Sequence, residues 1–222
     1  PFALGVEYAQ SGLGATYAGA GVGWAKTRLE VFSWQTSEPT APRDGEHDYD
    51  WRCTDAEVAE WQQAGVSRLQ ASLNPSSSWG SRSVTGDIRP KEDREDEYRE
   101  WVAALIERYD GDGVDDMPGL VRPVRHWVVG GEWSSFWPSD DAPGYLEVLE
   151  MTREEARAAS EEVLLGSIPF LLLDVFEGNE PSPEQVSTRL EDPPPVVRNS
   201  TEGMHAILDR PELFDYVDVH SL

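Results

Sequence analysis

Lysine is nearly missing from this chain. Lys26 and Lys91 are the only two, so almost all of its fixed positive charge is arginine. Cysteine is scarcer still: Cys53 stands alone, which excludes an internal disulfide. A missing disulfide does not assign a compartment, because many secreted proteins also lack one. No apolar run approaches the roughly 20 residues of a membrane-spanning helix, so no transmembrane segment is expected. No signal peptide is visible. The chain begins at Pro1 without an initiator Met, so an upstream segment stays open, as does the choice between an extracellular and a cytoplasmic location.

Positive charge is short overall. Eighteen basic residues face 42 acidic ones, for a formal net charge of -24. Such a surface repels nucleic acid and anionic membranes, so neither is expected as a partner. It suits a protein kept soluble in concentrated salt, where self-repulsion is screened. Acid-rich, lysine-poor composition resembles that of proteins from halophiles. A GC-rich genome accounts for the arginines but not for the acid excess.

What is present fits one globular domain over residues 1–222. Hydrophobic residues make up 39% and there are nine tryptophans, which argues against disorder. Strand and helix patterns alternate. Phe2 to Ala9 is a short apolar strand, followed by a small-residue loop and short helix from Leu13 to Gly23. Trp24 to Trp34 alternates in type and predicts one strand with a polar face. Thr54 to Gly65 predicts a helix, with Thr54 as N-cap and Glu57 completing a capping box. Val66 to Leu73 is the next strand, and 74–90 is a long Ser-, Gly- and Pro-rich loop. The following helix carries Tyr98, Val102, Leu105, Ile106 and Tyr109 on one stripe. A strand at 125–131 and a helix over 144–160 come next, then a strand at 163–168. Pro181 to Pro195 reads as an exposed loop, Asn199 to Arg210 as a short helix, and Phe214 to Leu222 as a final strand.

About six strands alternating with helices imply parallel βαβ crossovers. A dinucleotide-binding fold would place a glycine-rich phosphate turn and an acidic ribose partner after the first strand. The glycines are there; the acid is not. An α/β fold of the (β/α)8 TIM-barrel type fits better, with about six of eight units present. Polar and aromatic residues gather at the strand ends where such barrels do chemistry: Glu7, Arg28, Trp34, Trp79, Glu132 and His220.

The segment richest in chemistry is VRHWVVGGEWSSFW, Val124 to Trp137. An apolar run ends in two glycines, then Glu132, with Trp133, Phe136 and Trp137 behind it. A carboxyl group at a strand end beside flat apolar faces is what sugar cleavage needs. A strand with an aromatic-rich exit loop has the same pattern.

With the strands placed, most of the chain resembles the catalytic barrel of clan A glycoside hydrolases, the cellulase-like, β-galactosidase-like and xylosidase-like retaining enzymes. TRLEVFSWQTSEP looks like their second strand, with its Arg, Trp and following Glu-Pro. HWVVGGEW looks like the fourth strand, which in the family ends in Asn-Glu, and FDYVDVHSL looks like the sixth. The resemblance implies a carbohydrate substrate with a β-linked glycosidic bond, no metal and no cofactor. It makes Glu132 the general acid/base and gives Arg28 the task of holding the nucleophile ionised. Trp34, Trp79, Trp133 and Trp137 become sugar-stacking candidates, and His220 a pocket wall. Two departures stand out. Gly131 replaces the Asn that contacts the sugar 2-hydroxyl. The nucleophile belongs at the end of a seventh strand, whereas the chain stops at the sixth, so a truncated domain, itself inactive, is expected.

Blander readings stand beside these. Glu132 is alternatively a structural acid at the barrel mouth, Arg28 a buried partner of Glu30 or Glu7, and each Trp a packing residue. His47 and His126 read as structural. Asp110 to Asp116 hints at a calcium loop, but the ligand register fails, so a solvated acidic helix exit is the default. As a whole, the chain is a glycosidase, a non-catalytic carbohydrate-binding barrel or a structural scaffold. Its oligomeric state is not legible.

Overall fold

A computed structural model describes residues 4–133, 137–138, 140–171, 182–193 and 195–220; the side chains of 171, 189, 190, 196, 219 and 220 are outside that description. Five parallel strands form the main sheet in sequence order. They are β1 (Leu4–Val6), β2 (Val22–Lys26), β3 (Arg68–Leu73), β4 (His126–Val129) and β5 (Leu164–Gly166). Helices α1 (Gly14–Gly19), α2 (Trp34–Ser37), α3 (Arg52–Gln63), α4 (Glu95–Asp110) and α5 (Ala142–Ala159) lie between them. Then β6 (Phe170–Leu171), α6 (Pro183–Glu191), α7 (Pro195–Leu208) and β7 (Val219–His220) complete the order. β6 pairs in parallel with β7, and an isolated parallel bridge joins Gly166 to Tyr216. β5 and β6 therefore act as one bent strand, with β7 in the sixth position. Among the described residues β1 and β7 do not pair, so the sheet is open.

The alternation of side chains across each strand decides which face meets the helices. Ala25, Leu69, Ala71, Leu73, Trp127, Val129 and Leu165 are buried together with the helix stripes in one core. The opposite face carries Trp24, Lys26, Gln70, Ser72 and His126. The stripe on α4 is buried as its spacing predicts, joined by Trp101. Tyr145, Val148, Leu149, Thr152 and Ala156 of α5 are likewise buried. Two hydroxyl pairs fasten α4 to its neighbours: Tyr98 to Thr152 of α5 at 2.6 Å and Tyr109 to Thr54 of α3 at 2.6 Å.

Three local expectations are corrected. The strand from Trp24 ends at Lys26, and Arg28 to Phe32 form a turn, with Val31 N–H donating to the Arg28 carbonyl. Val31 and Phe32 are both buried, and the Phe32 ring packs edge-on to Tyr109 and Trp127. Thr54 is no N-cap. The helix starts at Arg52, the Thr54 hydroxyl donates to the Trp51 carbonyl, and Glu57 accepts from Ser11 and from the Trp61 indole. Finally, the proline-rich 181–195 stretch holds α6, started by Pro183 and a Ser182/Gln185 capping box, because proline is well accommodated in a first helical turn.

Gly80 is fixed by packing. A Cβ there would lie 2.4 Å from the Trp34 ring, and that ring is fully enclosed. Gly80→Ala should destabilise the fold by about 1–3 kcal/mol, measured by urea unfolding. An unchanged midpoint would mean that Trp34 yields without cost.

Candidate active site

The C-terminal ends of the strands bring Glu7, Tyr8, Arg28, Asn74 and Glu132 toward one end of the sheet. Glu132 is positioned from both sides. Before it, Gly130 adopts φ +86, a left-handed conformation costly for any side chain, while its N–H continues the ladder to the Leu73 carbonyl at 2.8 Å. After it, the Trp133 N–H donates to the Pro169 carbonyl at 2.8 Å and the Trp133 indole to the Ser200 carbonyl at 2.9 Å. Trp133 also forms a parallel bridge to Trp137. The half-buried Glu132 is thus set between two fixed backbone points.

Burial removes three tryptophans from the sugar-facing set. Trp133 and Trp137 pack edge-on against Tyr145 beneath the mouth, and the Trp137 indole donates to the Asp141 carbonyl. Trp34 is enclosed by Trp79, Tyr98 and Trp101, its indole donating to Glu38 at 2.9 Å. None of these three exposes a ring face. Trp79 is only partly buried, anchored by its indole on the Glu38 carbonyl at 2.9 Å. Arg28 is exposed and pairs with Glu30 within its own turn, not with Glu7 and not in a buried pair. His220 has its backbone in β7 beside Leu171; its side chain is outside the described residues.

Two features of the mouth escaped the sequence. Lys26 is buried and bridges Glu7 and Asp218, each at 2.8 Å. Gln70 also donates to Asp218, at 3.1 Å. The signal was there in part: Lys26 is one of two lysines and ends a strand. Tyr8 is the second. It holds φ 48, uncommon for a residue with a bulky side chain, and it is 49% exposed. Burial first, then the charges of Glu132, Glu7, Asp218 and Glu30, push its hydroxyl pKa up. Tyr8 therefore shares a strongly negative mouth with Glu132.

Elsewhere, His47 lies between Glu38 at 2.7 Å and Glu100 at 2.5 Å, tying the α2–α3 loop to α4. Asp110, Asp112 and Asp116 bring carboxylate oxygens within 4.8 Å of one another. Those oxygens accept from loop amides, among them Gly111 and Gly113 onto Asp116 at 3.0 and 2.8 Å.

Parallel strands alternating with helices, in a sheet that is not closed among the described residues, correspond to part of a (β/α)8 barrel, and solved structures of glycoside hydrolases share this fold. A GH39 β-xylosidase from Caulobacter crescentus matches with a TM-score of 0.57 at 16% identity, over 99% of this chain and 52% of that one. An intracellular xylanase from Thermoanaerobacterium saccharolyticum matches with a TM-score of 0.57 at 13% identity, over 98% and 63%. A family 39 glycoside hydrolase from Bacteroides cellulosilyticus matches with a TM-score of 0.52 at 16% identity, over 75% and 31%. The chain spans 31–63% of the length of these proteins. No protein-family model matches the sequence, and no curated protein matches it significantly.

Glu38 offers a pH test of this region. Burial raises its carboxyl above the ordinary 4.5, against hydrogen bonds from Trp34 and His47 that lower it. The folded state then holds the proton more tightly than the unfolded state. Ionisation costs stability, which falls as pH rises through 4.5 and levels off above the folded value. Glu38→Gln should remove that loss, so its stability relative to the parent should rise with pH across this window. Urea unfolding at fixed salt measures it; a difference that shrinks as pH rises contradicts it.

Proposed function

We propose that this chain forms the greater part of the catalytic barrel of a retaining glycoside hydrolase acting on a β-linked glycan or glycoside, with Glu132 as general acid/base. The observation that supports it is the placement of Glu132: half-buried, at the strand end of a glycosidase-like fold, with its backbone fixed by Gly130 and Trp133. A general acid must donate along a defined direction, so a carboxyl on a pinned segment suits it better than one on a free loop.

In this mechanism Glu132 protonates the leaving glycosidic oxygen as a second carboxylate attacks the anomeric carbon. Glu132 then takes a proton from the water that releases the sugar. Retention requires the two carboxyls about 5–5.5 Å apart. We assign the nucleophile to a segment following the sixth strand. Glu7 and Asp218 are both engaged by Lys26 and so are held in place at that mouth. Trp79 is retained as a sugar-stacking candidate, and Arg28 and His220 as outer pocket residues.

One observation favours an alternative, a barrel that binds carbohydrate without cleaving it. Gly131 is buried and offers no side chain to the sugar 2-hydroxyl, a contact that strengthens in the transition state.

Kinetics separate the two. In the full-length protein, Glu132→Gln should lower turnover of glycosides with poor leaving groups by about 10²–10⁴-fold. Activated aryl glycosides, which need no protonation to depart, should lose much less in the glycosylation step. Unchanged turnover of the poor substrates would remove Glu132 from the mechanism. Saccharide binding without turnover by the parent would select the non-catalytic barrel.

A further inference from the structure

At the opposite end of β4 from Glu132 lies a cavity of about 530 Å³, within the range of small-ligand sites. It is lined by Ser67, Arg68, Arg122, Arg125, His126 and Leu164, among others. Three guanidinium groups around one cavity are unexpected in a chain with 42 acids and 18 basic residues. Most arginines here sit on carboxylates. Arg68 instead lies over the Trp24 ring at 5.6 Å, and Arg122 donates to the Val66 carbonyl at 3.4 Å. Among the described residues neither has a carboxylate within ion-pair distance. Arg125 is paired with Glu162, at an exposed position.

We propose that this cavity binds a compact phosphate-type dianion, held by Arg68 and Arg122 with Arg125 and His126 at its margin. Guanidinium forks match oxyanions through paired N–H donors. The cavity size limits the ligand to a small molecule, and the net charge of -24 disfavours an extended polyanion such as nucleic acid. Burial first, then the nearby charges of Arg68 and Arg125, push the His126 imidazole pKa down. The site is separate from the mouth and stands whether or not Glu132 cleaves a glycoside.

The test is titration of the protein with sodium phosphate, and with sodium chloride at matched ionic strength. Calorimetry would follow binding, and the His126 ring signals in NMR would locate it. We expect one saturable phosphate site that shifts His126. Arg68→Gln and Arg122→Gln should each weaken it by about tenfold or more, the loss of a charge-assisted hydrogen bond. All three cavity arginines are exposed, so these changes leave the core intact. Arg43→Gln, in the α2–α3 loop, should leave binding unchanged. If chloride reproduces the response, or if both cavity variants bind phosphate as the parent does, the proposal fails.

Discussion

The ammonium group of Lys26 constrains the rest of the structure. It ends β2 with the side chain only 8% exposed, and a buried charge must be paired. Its partners come from opposite ends of the chain: Glu7 follows β1, and Asp218 precedes β7. β3, β4 and the bent β5–β6 strand lie between β2 and β7 in the sheet, so the contact requires the sheet to curl. Gln70 on β3 reaches the same Asp218. The Glu7 arm, 41% exposed, is screened by solvent and contributes less than the Asp218 arm, which is 25% exposed. Breaking a buried pair from one side commonly costs about 3–5 kcal/mol; partial exposure puts this one toward or below the lower end.

Curling the sheet divides its two faces by chemistry. The outer face is apolar and meets α3, α4 and α5 through one core. The inner face is polar, with Lys26, Gln70, Ser72 and His126 on it. One end of this inner face is acidic, where Tyr8 is surrounded by Glu132, Glu7 and Asp218. The other end is basic, around Arg68, Arg122 and Arg125. Under the two proposals made above, the ends take different ligands: a neutral sugar with a proton donor at the mouth, an anion at the base.

Much of this was legible in the sequence wherever burial is periodic. β3, β4, α4 and α5 follow the apolar spacing because each presents one continuous face to the core. The reading failed where local chemistry admits two outcomes. Thr54 and Glu57 have capping-box spacing, yet the chain starts the helix earlier and uses Glu57 to hold Trp61. The tryptophans after Glu132 belong near it, but sequence does not say on which side of the backbone a ring falls. They lie beneath the segment as its foundation, not above it as a sugar platform. The Lys26–Asp218 pair joins residues 192 positions apart, and the basic cavity gathers arginines from separate segments. Only the folded sheet brings such groups together.

The role of Glu132 is tested most directly by chemical rescue. In the full-length protein, Glu132→Ala removes the group that activates water in the second step of the proposed mechanism, and azide needs no such activation. Azide should accelerate turnover of an activated β-glycoside by this variant and yield a glycosyl azide of retained anomeric configuration. Turnover by Glu132→Ala that equals the parent's, or that azide leaves unchanged, would contradict that role.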